Sequence, residues 1–234
     1  MEYFVAGLIS YLIGGTPIGL VVAWLVKGID IREVGSGNIG ATNVGRTLGF
    51  RWFLIVFLLD GLKGLLPTLL LPMAFGSEGG ENQLHLSTLC GAAAIIGHMF
   101  SVWLKFKGGK GVATTVGIIL VIGPTAIPWA FFVAFVIFMT CFFTTRIVSL
   151  CSMLAATGFG ITQAILLWPI FTANNWSLSL FSLGVPALII IQHRSNIGRL
   201  LRGEEHQFRR KKSAEPEVDS STETEPKQSD VEPN

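Results

Sequence analysis

Three stretches of this chain carry residues suited to chemistry, and each mixes glycine with cations, amides or histidine. The first is Gly35-Ser36-Gly37-Asn38-Ile39-Gly40-Ala41-Thr42-Asn43-Val44-Gly45-Arg46. Glycine lets a backbone approach a ligand closely, and successive exposed N–H groups form a nest for an anion. A flexible linker would explain the glycines, but not the regular placement of an arginine and two asparagines among them. The second stretch joins Gly97-His98-Met99-Phe100 to Lys105-Phe106-Lys107-Gly108-Gly109-Lys110-Gly111. Lysines interleaved with glycines suit a phosphate group. The stretch is not a Walker A loop, because Leu104 stands where that motif needs glycine and Gly111 where it needs Ser or Thr. The pull of Lys and Arg towards the cytoplasmic side of a membrane accounts for the lysines and leaves the glycines unexplained. The third stretch is His193-Arg194-Ser195-Asn196-Ile197-Gly198-Arg199-Leu200-Leu201-Arg202-Gly203-Glu204-Glu205. On a helix, His193, Asn196 and Arg199 or Leu200 share one face. Histidine, asparagine and glutamate supply hydrogen bonds or acid–base work. A lone histidine at a membrane edge is ordinarily just a hydrated interfacial residue, and the company His193 keeps argues for more.

These polar stretches sit between apolar ones. Of 234 residues, 50% are apolar and only 14% are charged, where a soluble domain carries about a quarter charged residues. The apolar runs are residues 4–26, 52–75, 86–104, 112–145, 147–168 and 178–192. A membrane-spanning helix needs about 20 residues. Residues 4–26 have no basic segment before them, so they read as a first span rather than a cleavable signal. The run 112–145 is long for one span and short for two. Gly123, Pro124 and Pro128 in its middle favour a turn, with one kinked span as the alternative.

Charge placement favours the turn. Lys and Arg concentrate in 27–51, 105–111 and 193–212 and at Arg146, and are missing from 76–88, 123–128, 169–177 and the N-terminus. With a hairpin in 112–145, every basic loop falls on the cytoplasmic side. The expectation is an all-α integral membrane protein of seven transmembrane helices, N-terminus external and C-terminus cytoplasmic. Residues 1–208 form the membrane domain. Residues 209–234, rich in Ser, Glu, Asp and Pro, read as a disordered, charged cytoplasmic tail. Asp60 and Lys63, one turn apart within an apolar run, are a structural ion pair or part of the site. Arg146 and Ser149 offer a further anion contact at a helix junction. Cys90, Cys141 and Cys151 fit no zinc or redox spacing and read as packing residues.

Taken together, the three loops resemble the motifs of the bacterial acyl-phosphate:glycerol-3-phosphate acyltransferases, the seven-span PlsY type. The resemblance runs over residues 1–208. It is carried by Ser36, Gly37, Asn38, Gly40, Thr42, Asn43 and Arg46; by Gly97, His98, Phe100, Lys105, Gly108, Gly109, Lys110 and Gly111; and by His193, Asn196, Ile197, Gly203 and Glu205. Ser101 departs from the proline of many relatives, which bears on loop rigidity more than on chemistry.

The resemblance implies transfer of a fatty acyl group from acyl phosphate to the 1-hydroxyl of glycerol 3-phosphate. The products are lysophosphatidic acid and phosphate, in the first step of membrane phospholipid synthesis at the bacterial cytoplasmic (inner) membrane. It implies no cofactor, no metal and no nucleic-acid partner, and a soluble acyl-phosphate synthase upstream. Ser36, Asn38, His193, Asn196 and Glu205 are then catalytic. Arg46, His98, Lys105, Gly108, Gly109, Lys110, Gly111 and Ser149 bind substrate, with Arg46 and Lys105 on the phosphate of glycerol 3-phosphate. A transporter for a phosphorylated solute would instead place its cations at mid-membrane. An alcohol phosphatidyltransferase would need more intramembrane aspartates than Asp30 and Asp60 supply.

Overall fold

The computed structural model describes residues 1–75, 80–122 and 126–208. The turn expected at Gly123 and Pro124 and the tail expected over 209–234 lie outside them. The described residues are helical, with no strand among them. Helices α1 (Glu2–Gly15) and α2 (Ile18–Lys27) form one apolar segment broken at Thr16-Pro17, because proline lacks the N–H that would continue the ladder. Gly28 ends α2 at φ 65°, in the left-handed region that favours glycine. The remaining helices are α3 (Ala41–Leu48), α4 (Phe50–Ala74), α5 (Gly80–Met99), α6 (Val112–Ile119), α7 (Ala126–Thr145), α8 (Val148–Leu166), α9 (Trp176–Gln192) and α10 (Arg194–Leu201).

Five described segments are long and apolar enough to cross a bilayer: Glu2–Lys27, Phe50–Ala74, Asn82–Leu104, Ile127–Thr145 and Val148–Leu166. Helices α9 and α10, bent by 56° at their junction, make a sixth if taken together. The run 112–145 is not one kinked helix. It is divided between α6 and α7, and α6, at eight residues, is only about 12 Å long.

Bilayer lipid is as apolar as leucine, so helices associate in it through close backbone approach at small residues. Helices α1 and α5 run side by side in the same direction: Tyr3 Oη donates to the Asn82 carbonyl at 3.4 Å and Tyr11 Oη to the Phe100 carbonyl at 2.7 Å. Their contact is tight enough that a Cβ on Gly97 would lie 2.1 Å from the Tyr11 carbonyl oxygen. Ile95, Met99, Ile118, Ile122, Ile127 and Leu178 fill the interior. Phe4, Leu25, Leu58, Trp129, Phe143 and Ile165 point outward and are 61–70% exposed, as side chains facing lipid should be.

Asp60 and Lys63 pair at 2.8 Å and are almost fully buried. Lys63 Nζ also donates to the Thr16 carbonyl at 2.7 Å, which ties α4 to the break between α1 and α2. Beyond α2 the chain passes directly into the first polar loop. The N-terminal ends of α4, α6 and α8 and the C-terminal ends of α5, α7 and α9 all gather at that loop, and it is there that the polar stretches meet.

Candidate active site

The first loop is built around Asn43. Its side chain is buried in the first turn of α3, its Oδ1 accepts from the Ser36 N–H at 2.9 Å, and its Nδ2 donates to the carbonyls of Ile31 and Val34 at 3.0 Å each. A Cβ on Gly35, whose φ is 62°, would lie 2.3 Å from that same Oδ1. Asn38 Oδ1 accepts from the Gly40 N–H at 2.9 Å, a local turn that delivers the chain into α3. Ser36, Asn38, Thr42, Asn43 and Arg46 therefore face one space.

The second loop folds back on the end of α5. The Gly109 N–H donates to the His98 carbonyl at 3.0 Å, and the Gly108 N–H to the Met99 carbonyl at 3.1 Å. Both glycines are needed at this approach: a Cβ on Gly108 would lie 2.0 Å from the His98 carbonyl oxygen, and one on Gly109 2.2 Å from His98 Nε2. Gly108 and Gly109 thus shape the loop around His98, and it is His98, Lys110 and Gly111 that line the space. Lys105 sits on an exposed turn at φ 52°, away from it. Ser101, at the position where the resemblance departs, donates through Oγ to the Gly15 carbonyl at 2.6 Å and anchors the loop to α1.

The third stretch bends between α9 and α10 at His193. The His193 Nδ1 lies 2.8 Å from the Ile189 carbonyl oxygen. A carbonyl only accepts, so Nδ1 carries a proton, and the neutral ring keeps Nε2 as an acceptor. Asn196 sits one turn on, buried. Its Oδ1 accepts from Lys110 Nζ and its Nδ2 donates to Glu205 Oε1 at 2.7 Å. Glu205 also accepts from Ser149 Oγ at 3.0 Å and from Arg199 Nε at 2.7 Å. Arg199, which the sequence placed on one face with His193 and Asn196 but gave no role, joins them by holding Glu205. The position of Arg199 one turn beyond Asn196 was the available signal.

These side chains enclose a polar cavity of about 120 Å³. It runs along α4 from Phe53 to Asp60, roughly 10 Å of helix. The first turns of α3, α6 and α8 line it through Ala41 and Thr42, Val112 and Ala113, and Val148 and Ser149. A helix N-terminus presents unpaired N–H groups and a positive dipole end, so three of them favour an anion. Arg46 adds a cation, with Nη2 donating to the His206 carbonyl at 2.9 Å and Nε buried without a partner. Burial draws the Lys110 ammonium down to about 8; Glu205 resists this, and Arg199 and Arg46 add to it. Burial pushes the Glu205 carboxyl up, but the hydrogen bonds from Asn196, Arg199 and Ser149 outweigh it and hold the group below its ordinary value.

A second space, an apolar groove of about 570 Å³, adjoins the first. Phe53, Phe57, Val112, Phe138, Val148 and Ser152 line both. The result is a cationic head-sized pocket opening into an apolar slot between α4, α6, α7, α8 and α9.

The proteins that the chain is similar to are of one kind. The family model described as glycerol-3-phosphate acyltransferase matches residues 4–203. A glycerol-3-phosphate acyltransferase of Aquifex aeolicus is 39% identical over 201 residues, covering 86% of this chain and 96% of the relative. One from an Anaeromyxobacter species is 42% identical over 203 residues, with 86% and 93% covered. Among solved structures, PlsY, an integral membrane glycerol 3-phosphate acyltransferase crystallised in a glycerol 3-phosphate form, superposes with a TM-score of 0.75 at 36% identity, covering 89% of this chain and 96% of that one. Its lysophosphatidic acid form gives a TM-score of 0.72.

Proposed function

Since the chain belongs to the glycerol-3-phosphate acyltransferase family, and is thereby an integral membrane acyltransferase of glycerol 3-phosphate, we propose that its donor is an acyl phosphate and that its products are lysophosphatidic acid and phosphate. The observation that carries this reading is the shared wall between a cationic polar cavity and an apolar groove. A long-chain acyl phosphate has that same division, a phosphate head on an apolar tail. Its mixed anhydride is already activated, so the enzyme needs no covalent intermediate. Holding the two reactants in line can itself supply several kcal/mol, up to ~7–11 in ideal cases.

Arg46, beside the N-terminus of α3, takes the phosphate of glycerol 3-phosphate. Lys110 and the start of α6 take the phosphate of the donor, whose chain lies in the groove. Lys105, expected from the sequence beside Arg46, is left at the exposed turn, and Lys110 is the lysine at the cavity. Ser36 and Asn38 orient the reacting carbonyl and hydroxyl, and His98 closes the wall behind them. The 1-hydroxyl oxygen attacks the acyl carbonyl carbon and a new ester C–O bond forms. The C–O bond to phosphate breaks, and phosphate leaves with its electron pair. The hydroxyl proton goes to His193 Nε2 or to the departing phosphate. Asn196 and Glu205 hold Lys110 and the glycerol backbone in place.

Seven passes place the N-terminus outside and the site at the cytoplasmic face of the bacterial inner membrane, where a soluble acyl-phosphate synthase supplies the donor. The alternation of helix ends at the cavity supports that count, with the run 112–145 supplying two passes and α6 beginning the first of them. The basic loops support the side. The step is then the first of membrane phospholipid synthesis.

The test supplies purified protein in lipid with glycerol 3-phosphate and either palmitoyl phosphate or palmitoyl-CoA, and follows phosphate and lysophosphatidic acid. Product from palmitoyl phosphate alone is expected, and product from palmitoyl-CoA alone would overturn the donor. A pH profile checks Lys110. Its ammonium is present below about 8, and kcat/KM reports the free enzyme. The value of kcat/KM should therefore fall as the pH rises through that point. In Lys110→Arg, whose guanidinium stays charged, the alkaline fall should disappear even if the plateau is lower.

A further inference from the structure

Residues 204–208 lie past the region matched by the family model, yet they cross the site as an extended strap. Three contacts in sequence pin the strap. Glu205 is held by Ser149, Asn196 and Arg199; the His206 carbonyl accepts from Arg46 Nη2; and the Phe208 N–H donates to the Arg146 carbonyl at 2.7 Å, between α7 and α8. The Phe208 ring then drops between Phe53 of α4 and Phe142 of α7, with centroids 5.9 and 6.2 Å away. All three rings line the apolar groove, and Phe53 also lines the polar cavity. Phe208 therefore bridges the two walls of the groove at the end nearest the loops, above the place where head and tail compartments join.

We propose that Phe208 is a water-excluding cap on the acyl groove, which determines that the acyl group passes to glycerol 3-phosphate and not to water. The proposal rests on the reading that the groove holds the donor's acyl chain. Water competes with the glycerol hydroxyl for the same carbonyl carbon. Its attack would release a free fatty acid and the donor's leaving group. An active site suppresses such side reactions by keeping bulk water out. The bridging ring does this beside the shared wall, against Phe53, which lines both compartments, and Arg46 ties its strap to the substrate cavity.

The experiment compares Phe208→Ala and Phe208→Leu with the unaltered protein, using palmitoyl phosphate with and without glycerol 3-phosphate. It measures fatty acid and lysophosphatidic acid separately. In Phe208→Ala the ratio of fatty acid to lysophosphatidic acid should rise at least fivefold, and fatty acid should form without glycerol 3-phosphate. Phe208→Leu, which keeps apolar bulk, should lie between. An unchanged ratio in Phe208→Ala, whether or not both products fall together, would overturn the cap. If the unaltered protein makes nothing from palmitoyl phosphate, the donor reading fails on its own. The same ratio is then read with palmitoyl-CoA, and the cap stands or falls on it.

Discussion

Arg46→Ala should lower kcat/KM for glycerol 3-phosphate by about 10²- to 10³-fold. Arg46 is the cation of the first loop, and its Nε is buried without a partner while Nη2 holds the His206 carbonyl. A charge-assisted hydrogen bond contributes about 1.5–3 kcal/mol; at the lower end of that range, two from one guanidinium make roughly 3–4 kcal/mol, or two to three factors of ten. Most of the loss should fall on KM, because the phosphate that we assign to it is remote from the reacting hydroxyl and would be held in ground state and transition state alike. Arg46→Lys should recover only part, since an ammonium keeps the charge but loses the planar fork. Initial rates over a range of glycerol 3-phosphate, at saturating donor, measure this. A loss confined to kcat would remove Arg46 from phosphate binding and leave it as an anchor of the strap.

Glu205→Ala should destabilise the folded protein by about 3 kcal/mol, because removing one partner of a buried charge pair leaves the other unpaired. For a chain of this size that is roughly a 10 °C fall in Tm. The Glu205 carboxylate is the meeting point of Ser149 from α8 with Asn196 and Arg199 from α10. Asn196 in turn accepts from Lys110, so the variant should also loosen the lysine that we assign to the donor phosphate, and lose most activity. The folded carboxyl lies below its ordinary value. Its contribution is therefore complete at neutral pH and is lost as the pH falls through the folded value. The gap in Tm between variant and unaltered protein should close on acidification. Melting curves in one detergent at a series of pH values provide the check. A Tm gap that does not change with pH would assign the loss to packing instead of charge.

The membrane character and most of the residues that line the candidate site were legible in the chain itself. Charges cannot sit unpaired in hydrocarbon, so they collect between apolar runs, and that made the three polar stretches visible. Glycines at 35, 37, 108 and 109 pointed to close backbone approach. The structure shows what they approach: Asn43 for Gly35, and His98 for Gly108 and Gly109. Other features had no local signal. Nothing in Lys105-Phe106-Lys107-Gly108-Gly109-Lys110 tells which lysine turns inward, because that depends on the loop folding back onto the carbonyls of His98 and Met99. The His206 carbonyl entered the site only through the course of the strap.

What the sequence by itself determined was the solvent of each segment and the chemical kind of each loop, since both follow from composition and residue type within a few positions. Only the tertiary structure decided where the positive field lies. Three short loops deliver the N-termini of α3, α6 and α8 to one cavity, and no spacing along the chain records that convergence. The join between polar cavity and apolar groove is of the same kind. Phe53, Phe57, Val112, Phe138, Val148 and Ser152 come from α4, α6, α7 and α8, and they meet because helices packed in lipid settle by close approach of small residues far from the site itself.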